Sequence, residues 1–256
     1  MKGWDFFDDI RCINLTSRSD RYKQSKKIFD KYNIPTRYYF TEKHPKGGQH
    51  GCFESHINII KEAYNNGCEN VLIFEDDIYP TDFINRENLA VSIDFMKQNK
   101  WDLFYLGALP DIRSTLSQKV SNKIYKLHGI CTHAYVVNRS GMKKLKDLKF
   151  TGVPIDYYYI NNIERSYALY PTMFLQGLSK SDIKEGDNWW TPYSTPERVK
   201  TFYRCVEWYA YYINYPLSIL FFLLGIIIVW LIFNIYDLIS LFILVFLLFI
   251  LLMLQQ

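Results

Sequence analysis

The last 49 residues of this chain, 208–256, carry a single charged side chain, Asp237, and no other part of the sequence constrains the fold as strongly. Residues 213–233 form an uncharged run of 21. As a helix rising about 1.5 Å per residue, that run reaches roughly 32 Å, against a hydrocarbon core of about 30 Å. A second run, 238–254, holds 17 residues and sits at the lower edge of the spanning range, with Asn234 and Asp237 marking a break between the two. The reading is a helical hairpin in a lipid bilayer. Burying both runs inside a soluble core would demand more apolar partner surface than residues 1–207, with their ordinary charge content, can offer. Arg198, Lys200 and Arg204 precede the first run and no Lys or Arg follows it, so the positive-inside rule predicts residues 1–207 on the cytosolic face. Trp208, Tyr209, Tyr211, Tyr212 and Tyr215 suit the interface, where rings with one polar edge settle.

Removing the negative charge of Asp237 from the formal total of +4 leaves +5 on residues 1–207. Basic and acidic side chains alternate along that part without a basic stripe, which argues against a nucleic-acid partner. Five cysteines, odd in number and without a C-x-x-C pair, are expected as free thiols. Residues 1–9 already carry Asp5, Asp8 and Asp9, so no N-terminal secretion signal is expected there.

Within 1–207, short apolar runs alternate with helical spacing. The pattern predicts strands at 11–15, 36–40, 70–74 and 102–106, the last closed by Gly107, and helices at 20–32, 53–65 and 88–99. Residues 44–51 read as a turn-rich loop. This rhythm implies an α/β fold with a mostly parallel central sheet. Further on, strands are expected at 123–127 and 133–138, and helices near 141–148 and after Pro154. Residues 184–207 read as a linker between a domain at 1–183 and the apolar tail.

Chemistry concentrates where the apolar strand Val71-Leu72-Ile73-Phe74 runs into Glu75-Asp76-Asp77. Three adjacent acids repel one another unless a cation neutralises them. In an extended chain Glu75 and Asp77 project to the same side and can share a divalent ion, for which hard Mn²⁺ or Mg²⁺ suits oxygen ligands. An acidic loop that merely ends a strand is the competing reading. A second element, Asn14 to Arg21, is a strand end opening a helix, the place where open α/β sheets collect phosphate. Arg18 and Arg21 can hold phosphate or ribose and Asp20 can accept from ribose or base, unless the group is only a helix cap with a surface ion pair. The third is Gly51-Cys52-Phe53-Glu54-Ser55-His56, in which His56 falls on an apolar helix face and reads alone as a satisfied core residue.

Taken in order with Thr132-His133-Ala134-Tyr135-Val136-Val137, Pro154-Ile155-Asp156, Gln176 and Ser181-Asp182, these elements make the chain resemble glycosyltransferase family 25 over roughly residues 10–182. That family includes bacterial lipooligosaccharide and collagen galactosyltransferases. The resemblance implies a GT-A type (Rossmann-like) fold, a UDP-sugar donor carrying galactose or glucose, and metal-dependent, inverting transfer to a glycan, glycolipid or protein hydroxyl. By motif it implies Glu75 and Asp77 as metal ligands, and Asn14, Arg18, Asp20, Arg21, His56, Asp76 and Gln176 as donor-binding residues. Asp156 is the expected base and Asp182 a substitute base or further ligand. A membrane tail departs from the luminal members and points to a lipid-linked or membrane-proximal acceptor. The alternative function is a catalytically inactive, membrane-bound binding module of the same fold. Retention of the three acids and both arginines argues against it. A metal-dependent phosphohydrolase is disfavoured because no nucleophile motif accompanies the acids.

Overall fold

A computed structural model describes residues 3–110 and 118–177, with Leu224 alone beyond them. The chain divides into units at 1–215 and 216–256, and every element below belongs to the first. Apart from Leu224, both predicted membrane spans lie outside the described residues, as do the linker 184–207 and Asp182. Among the described residues no helix is long and apolar enough to cross a membrane.

The strands in chain order are β1 (Asp9–Leu15), β2 (Arg37–Thr41), β3 (Asn70–Glu75), β4 (Ile78–Pro80), β5 (Leu103–Pro110), β6 (Gln118–Ser121), β7 (Ile124–Lys126), β8 (Gly129–Asn138), β9 (Ser166–Leu169) and β10 (Phe174–Gln176). The helices are α1 (Ser19–Tyr32), α2 (Gly48–Asn65), α3 (Arg86–Gln98), α4 (Arg139–Leu145) and α5 (Ile155–Asn162). Eight strands form one sheet in the order β2-β1-β3-β8-β5-β9-β7-β6. Six of them share a direction, and β8 and β7 run against it. The expected α/β fold with a mainly parallel sheet is therefore present, with one change: β8 inserts antiparallel between β3 and β5, which do not touch as neighbours.

Alternation along the central strands explains the layers. Leu72 and Phe74 face a core with Phe29 of α1 and Leu89 and Met96 of α3. Val71 and Ile73 face the opposite core with Ile57 and Ile60 of α2, Met142 of α4 and Tyr159 of α5. Since helices cover both faces, β3 reads as a continuous apolar run. Helix ends follow local chemistry. Asn33 closes α1 in the left-handed region at φ 52°, and the Asn85 and Asn138 side chains accept from the Asn88 and Gly141 amides to open α3 and α4.

Three local expectations are corrected. Residues 48–51, read as part of a loop, form the first turn of α2, because packing overrides the poor helix propensity of glycine there. Gly107 does not close β5, which runs on to Pro110 through an irregular register. A Cβ at Gly107 would sit 2.6 Å from the Phe174 carbonyl oxygen and 2.7 Å from His133 Nε2, so glycine serves the close approach of β10. The short strands β4, β6, β9 and β10 carry too few residues for a periodic signal, and sequence reading missed them.

Asp102, fully buried just before β5, accepts from Arg165 Nε and Nη2 at 2.9 and 2.7 Å and from Lys144 Nζ at 2.8 Å, tying the entry to β5 to α4 and to the approach to β9. Burial alone would raise its pKa. The hydrogen bonds from Arg165 and Lys144 more than offset this and hold it at about 2, against 3.8 ordinarily. A depressed folded-state pKa stabilises above the unfolded value and loses its effect as pH falls through the folded one. Asp102→Asn should therefore cost roughly 2 kcal/mol at pH 7, and the deficit should shrink from about pH 4 towards pH 2. Denaturant unfolding across that range checks this.

Candidate active site

The carboxyl ends of β1 and β3 open beside the start of α2 into a cavity of about 330 Å³, whose lining includes Arg21, His56, Glu75, Asp76, Asp77 and Gln176. Here a topology of parallel neighbours does chemical work, since β1 and β3 end side by side, with Ile13 in register with Glu75. Immediately after β3 the chain turns through Asp76 and Asp77 into β4, which pairs antiparallel with β10 and sets Gln176 opposite Ile78. Gln176 Nε2 thereby comes within 3.4 Å of Glu75 Oε2 and 3.5 Å of Asp77 Oδ2, so the two acids approach one side chain, through a turn rather than along the expected extended chain. Gly177 seals this arrangement, donating its amide to the Asp77 carbonyl, and a Cβ there would lie 2.7 Å from that oxygen.

The three carboxylates are not equivalent. Asp76 accepts from Asn14 Nδ2 at 2.6 Å and Arg21 Nη1 at 3.0 Å, and is largely neutralised by the protein itself. Arg21 also lies 3.5 Å from Asp77, whose Oδ1 is buried without a hydrogen-bond partner. Burial pushes Glu75 up to about 8, helped by the charges of Asp156 and Asp76, and pushes Asp77 up to about 7, helped by Glu75. Burial also raises Asp76, against the pull of Arg21. A pair of acids that holds protons near neutral pH, with one oxygen unpaired, gains most from a hard cation supplied from outside.

His56 has 1% of its surface exposed, and both ring nitrogens are engaged: Nδ1 with the Tyr135 hydroxyl at 2.6 Å, Nε2 with Glu75 Oε1 at 3.3 Å. Tyr135 in turn meets the Tyr159 hydroxyl at 2.6 Å. Burial lowers the imidazole pKa to about 4, so it is neutral and orients Glu75. Sequence reading gave Tyr135 and Tyr159 no role. Alternation along β8, which sends Tyr135 to the face that α2 covers, was the available signal. Cys52, His56 and Glu75 also offer donor atoms within 4.8 Å of one another. The expectation of free thiols holds for the four described cysteines.

Other expected site residues fall differently. Asn14 is 1% exposed and supports Asp76 from beneath rather than lining the cavity. Arg18 and Asp20 pair with each other through contacts of 3.0 and 2.9 Å at the opening of α1, and neither lines the cavity. Hydrogen bonding from Arg18 holds the Asp20 carboxyl at about 2. This is the surface ion pair that two oppositely charged residues at a helix start can form without any ligand. Asp156 stands in the first turn of α5. Its hydrogen bonds come from the Thr132 side chain and the Cys131 and Thr132 backbone, so it is tied to β8, and its Oδ1 is buried without a partner. Burial raises its pKa and those bonds oppose the rise. Its charge acts on Glu75 and His56, although it is not among the residues that line the cavity.

Residues 5–159 match the profile of glycosyltransferase family 25 (LPS biosynthesis protein). Among curated proteins, a human protein named inactive glycosyltransferase 25 family member 3 is 32% identical over 102 residues, covering 38% of this chain and 17% of its own length. Procollagen galactosyltransferase 1 of Danio rerio is 25% identical over 175 residues, covering 54% of this chain and 28% of its own. The chain thus spans less than a third of the length of these relatives. A solved glycosyltransferase involved in glycosylation of the major capsid of PBCV-1 superposes with a TM-score of 0.40 at 14% identity, over 68% of this chain and 96% of that one.

Proposed function

This chain belongs to glycosyltransferase family 25, and we propose that its cavity binds a UDP-hexose and transfers galactose or glucose to a hydroxyl of a glycan, glycolipid or protein acceptor. The observation that carries this reading is the convergence of Glu75 and Asp77 beneath Gln176 on the cavity wall, with Arg21 beside them. A GT-A type fold is the finer architecture we assign to the domain.

The donor set fits a divalent cation, Mn²⁺ or Mg²⁺. Glu75 and Asp77 supply hard oxygens, Asp77 Oδ1 has no other partner, and Asp76 is held back by Asn14 and Arg21. When bound, such an ion supplies the charge that stabilises a departing diphosphate. The chain's own residues do the rest. His56, fixed by Tyr135, orients Glu75, and Gln176 bridges the two acids. Asp156 takes the proton of the acceptor hydroxyl as the sugar inverts, with Asp182 as the alternative base. Incubating the purified chain with a panel of sugar nucleotides and Mn²⁺ or Mg²⁺ tests the assignment. Metal-dependent hydrolysis or transfer of one UDP-hexose is expected, and absence of turnover with every donor would overturn it.

A second reading, a binding module without catalysis, is favoured by the identity to a relative named inactive. It predicts saturable donor binding without hydrolysis in the same panel.

We also assign the tail, about 213–233 and 238–254, to a membrane, with the catalytic domain at the cytosolic face. The support is the charge asymmetry of Arg198, Lys200 and Arg204. Protease added outside sealed, cytosol-out vesicles should digest the domain, and full protection would reverse the orientation.

A further inference from the structure

Beside the cavity's acids lies a cluster that the transfer reaction does not use. His50 and Glu54, four apart on α2, share a helix face, with His50 Nε2 3.0 Å from Glu54 Oε1. His44, from the preceding segment, brings its Nε2 to 3.2 Å from the other oxygen, Glu54 Oε2. The two imidazole rings stack face to face, centroids 4.3 Å apart with their planes 3° from parallel.

Backbone features hold this arrangement. The Gly47 amide donates to the His44 carbonyl at 3.0 Å, and Gly47 takes φ 101°, a left-handed value that suits glycine, so the chain reverses between the two histidines. A Cβ at Gly51 would stand 2.8 Å from His44 Cβ, so a glycine on the first turns of α2 is what lets His44 come down on His50. The Phe150 ring, 4.4 Å from that of His50, backs the pair.

We propose that His44, His50 and Glu54 form a binding site for a borderline divalent transition metal such as Zn²⁺, separate from the acids that handle the donor. Two imidazole nitrogens and one carboxylate oxygen are a donor set such ions accept, with a fourth position left open. All three donor atoms lie within 4.8 Å of one another. Ligands at about 2.1 Å from a tetrahedral ion stand about 3.4 Å apart. The existing contacts of 3.0 and 3.2 Å are close to that spacing, but the stacked rings must turn towards one another, because a metal lies in the plane of each imidazole that binds it.

One bond must be given up. The Lys46 amide donates to His44 Nδ1 at 3.1 Å, and a metal on Nε2 of a neutral imidazole requires the proton on Nδ1. Loading thus turns the Lys46 amide away and moves residues 44–48. His44, Gly47 and Gly48 also line the donor cavity, so occupancy of this site is coupled to the shape of the cavity wall. The site stands whether or not the cavity transfers a sugar.

The test is a Zn²⁺ titration of the chelator-dialysed full chain by competition with a chromophoric chelator. It is run in an Asp77→Ala, Cys52→Ser background that removes the two neighbouring donor groups. One Zn²⁺ per chain is expected, with affinity falling at least about tenfold in each of His44→Gln, His50→Gln and Glu54→Gln, as loss of one of three ligands should do. Co²⁺ in place of Zn²⁺ should give the visible bands of a nitrogen- and oxygen-bound ion, absent from the same variants. If His50→Gln fails to fold, the His44 variant decides, since that residue lies outside any helix. No Zn²⁺ uptake in the background protein, or equal affinity after His44→Gln, would overturn the proposal.

Discussion

Asp77→Ala is expected to abolish metal-dependent donor binding while leaving the fold intact. Two carboxylates, Glu75 and Asp77, converge beneath Gln176, and the third is engaged by Asn14 and Arg21. Removing Asp77 therefore leaves one ligand where a hard cation needs at least two. Affinity for UDP-sugar in the presence of Mn²⁺ should fall by at least about 100-fold, more than the roughly 10- to 100-fold typical of losing a group that only orients a ligand. Stability should move the other way. Burial, aided by Glu75, raises the Asp77 pKa from 3.8 to about 7, so the metal-free fold loses stability as pH rises from about 4 to 7 and carries the full penalty above that. The metal-free variant should melt no lower than the parent protein at pH 8. For the same reason, metal affinity of the parent should weaken as pH falls from 8 to 6, because loading must displace protons from Asp77 and Glu75. Calorimetric titration with UDP-sugar and with Mn²⁺, across that pH range, reads the two affinities, and thermal melting of the metal-free proteins at pH 8 reads the stability. Unchanged affinity in the variant would remove Asp77 from the metal site.

What could be read from sequence was what is written locally. β3 announces itself as an apolar run ending in acids, and α2 by Ile57, Ile60 and Ala63 on one face; both form, and they meet at the cavity. Local pattern does not record which strands become neighbours. The insertion of β8 between β3 and β5 depends on pairing residues far apart, such as Leu72 with Val136. Charge partners are hidden in the same way. The three acids look uncompensated in sequence, yet Asn14, 62 positions away, and Arg21, 55 away, close on Asp76. Conversely Arg18 and Asp20, two apart, pair with each other at the opening of α1, a contact their spacing makes available without any ligand. Glycine was ambiguous for a physical reason: Gly107 looks like a strand end, but its function is the absent Cβ beneath Phe174. Gln176 sits on a three-residue strand, too short for any periodicity, and only its place in the family motif drew attention to it.

Asp156→Asn separates catalysis from structure at the residue proposed as base, and turnover is expected to fall by about 10²- to 10⁴-fold with donor affinity retained. A helix cap was the competing role, since Asp close behind Pro154 at a helix start is a common stabilising choice. The geometry bears on that choice: Pro154 stands at the N-cap position, and the hydrogen bonds to Asp156 come from Thr132 and the Cys131 backbone on β8. The residue is thus braced from the sheet, in the first turn of α5, with Oδ1 buried and unpaired. A braced carboxylate with a spare oxygen is what a base needs, and burial, which raises its pKa, favours proton uptake. Asparagine keeps the size and can still accept through its one carbonyl oxygen, so folding should persist, but it cannot take a proton. Its effect should lie in kcat, with KM for the donor near that of the parent, because the acceptor proton moves only after the donor is bound. Melting temperature and UDP-sugar affinity, measured beside turnover, exclude a collapse of the fold as the cause. Near-parental turnover in a well-folded Asp156→Asn protein would return this residue to bracing α5 against β8 and make Asp182 the next base to test.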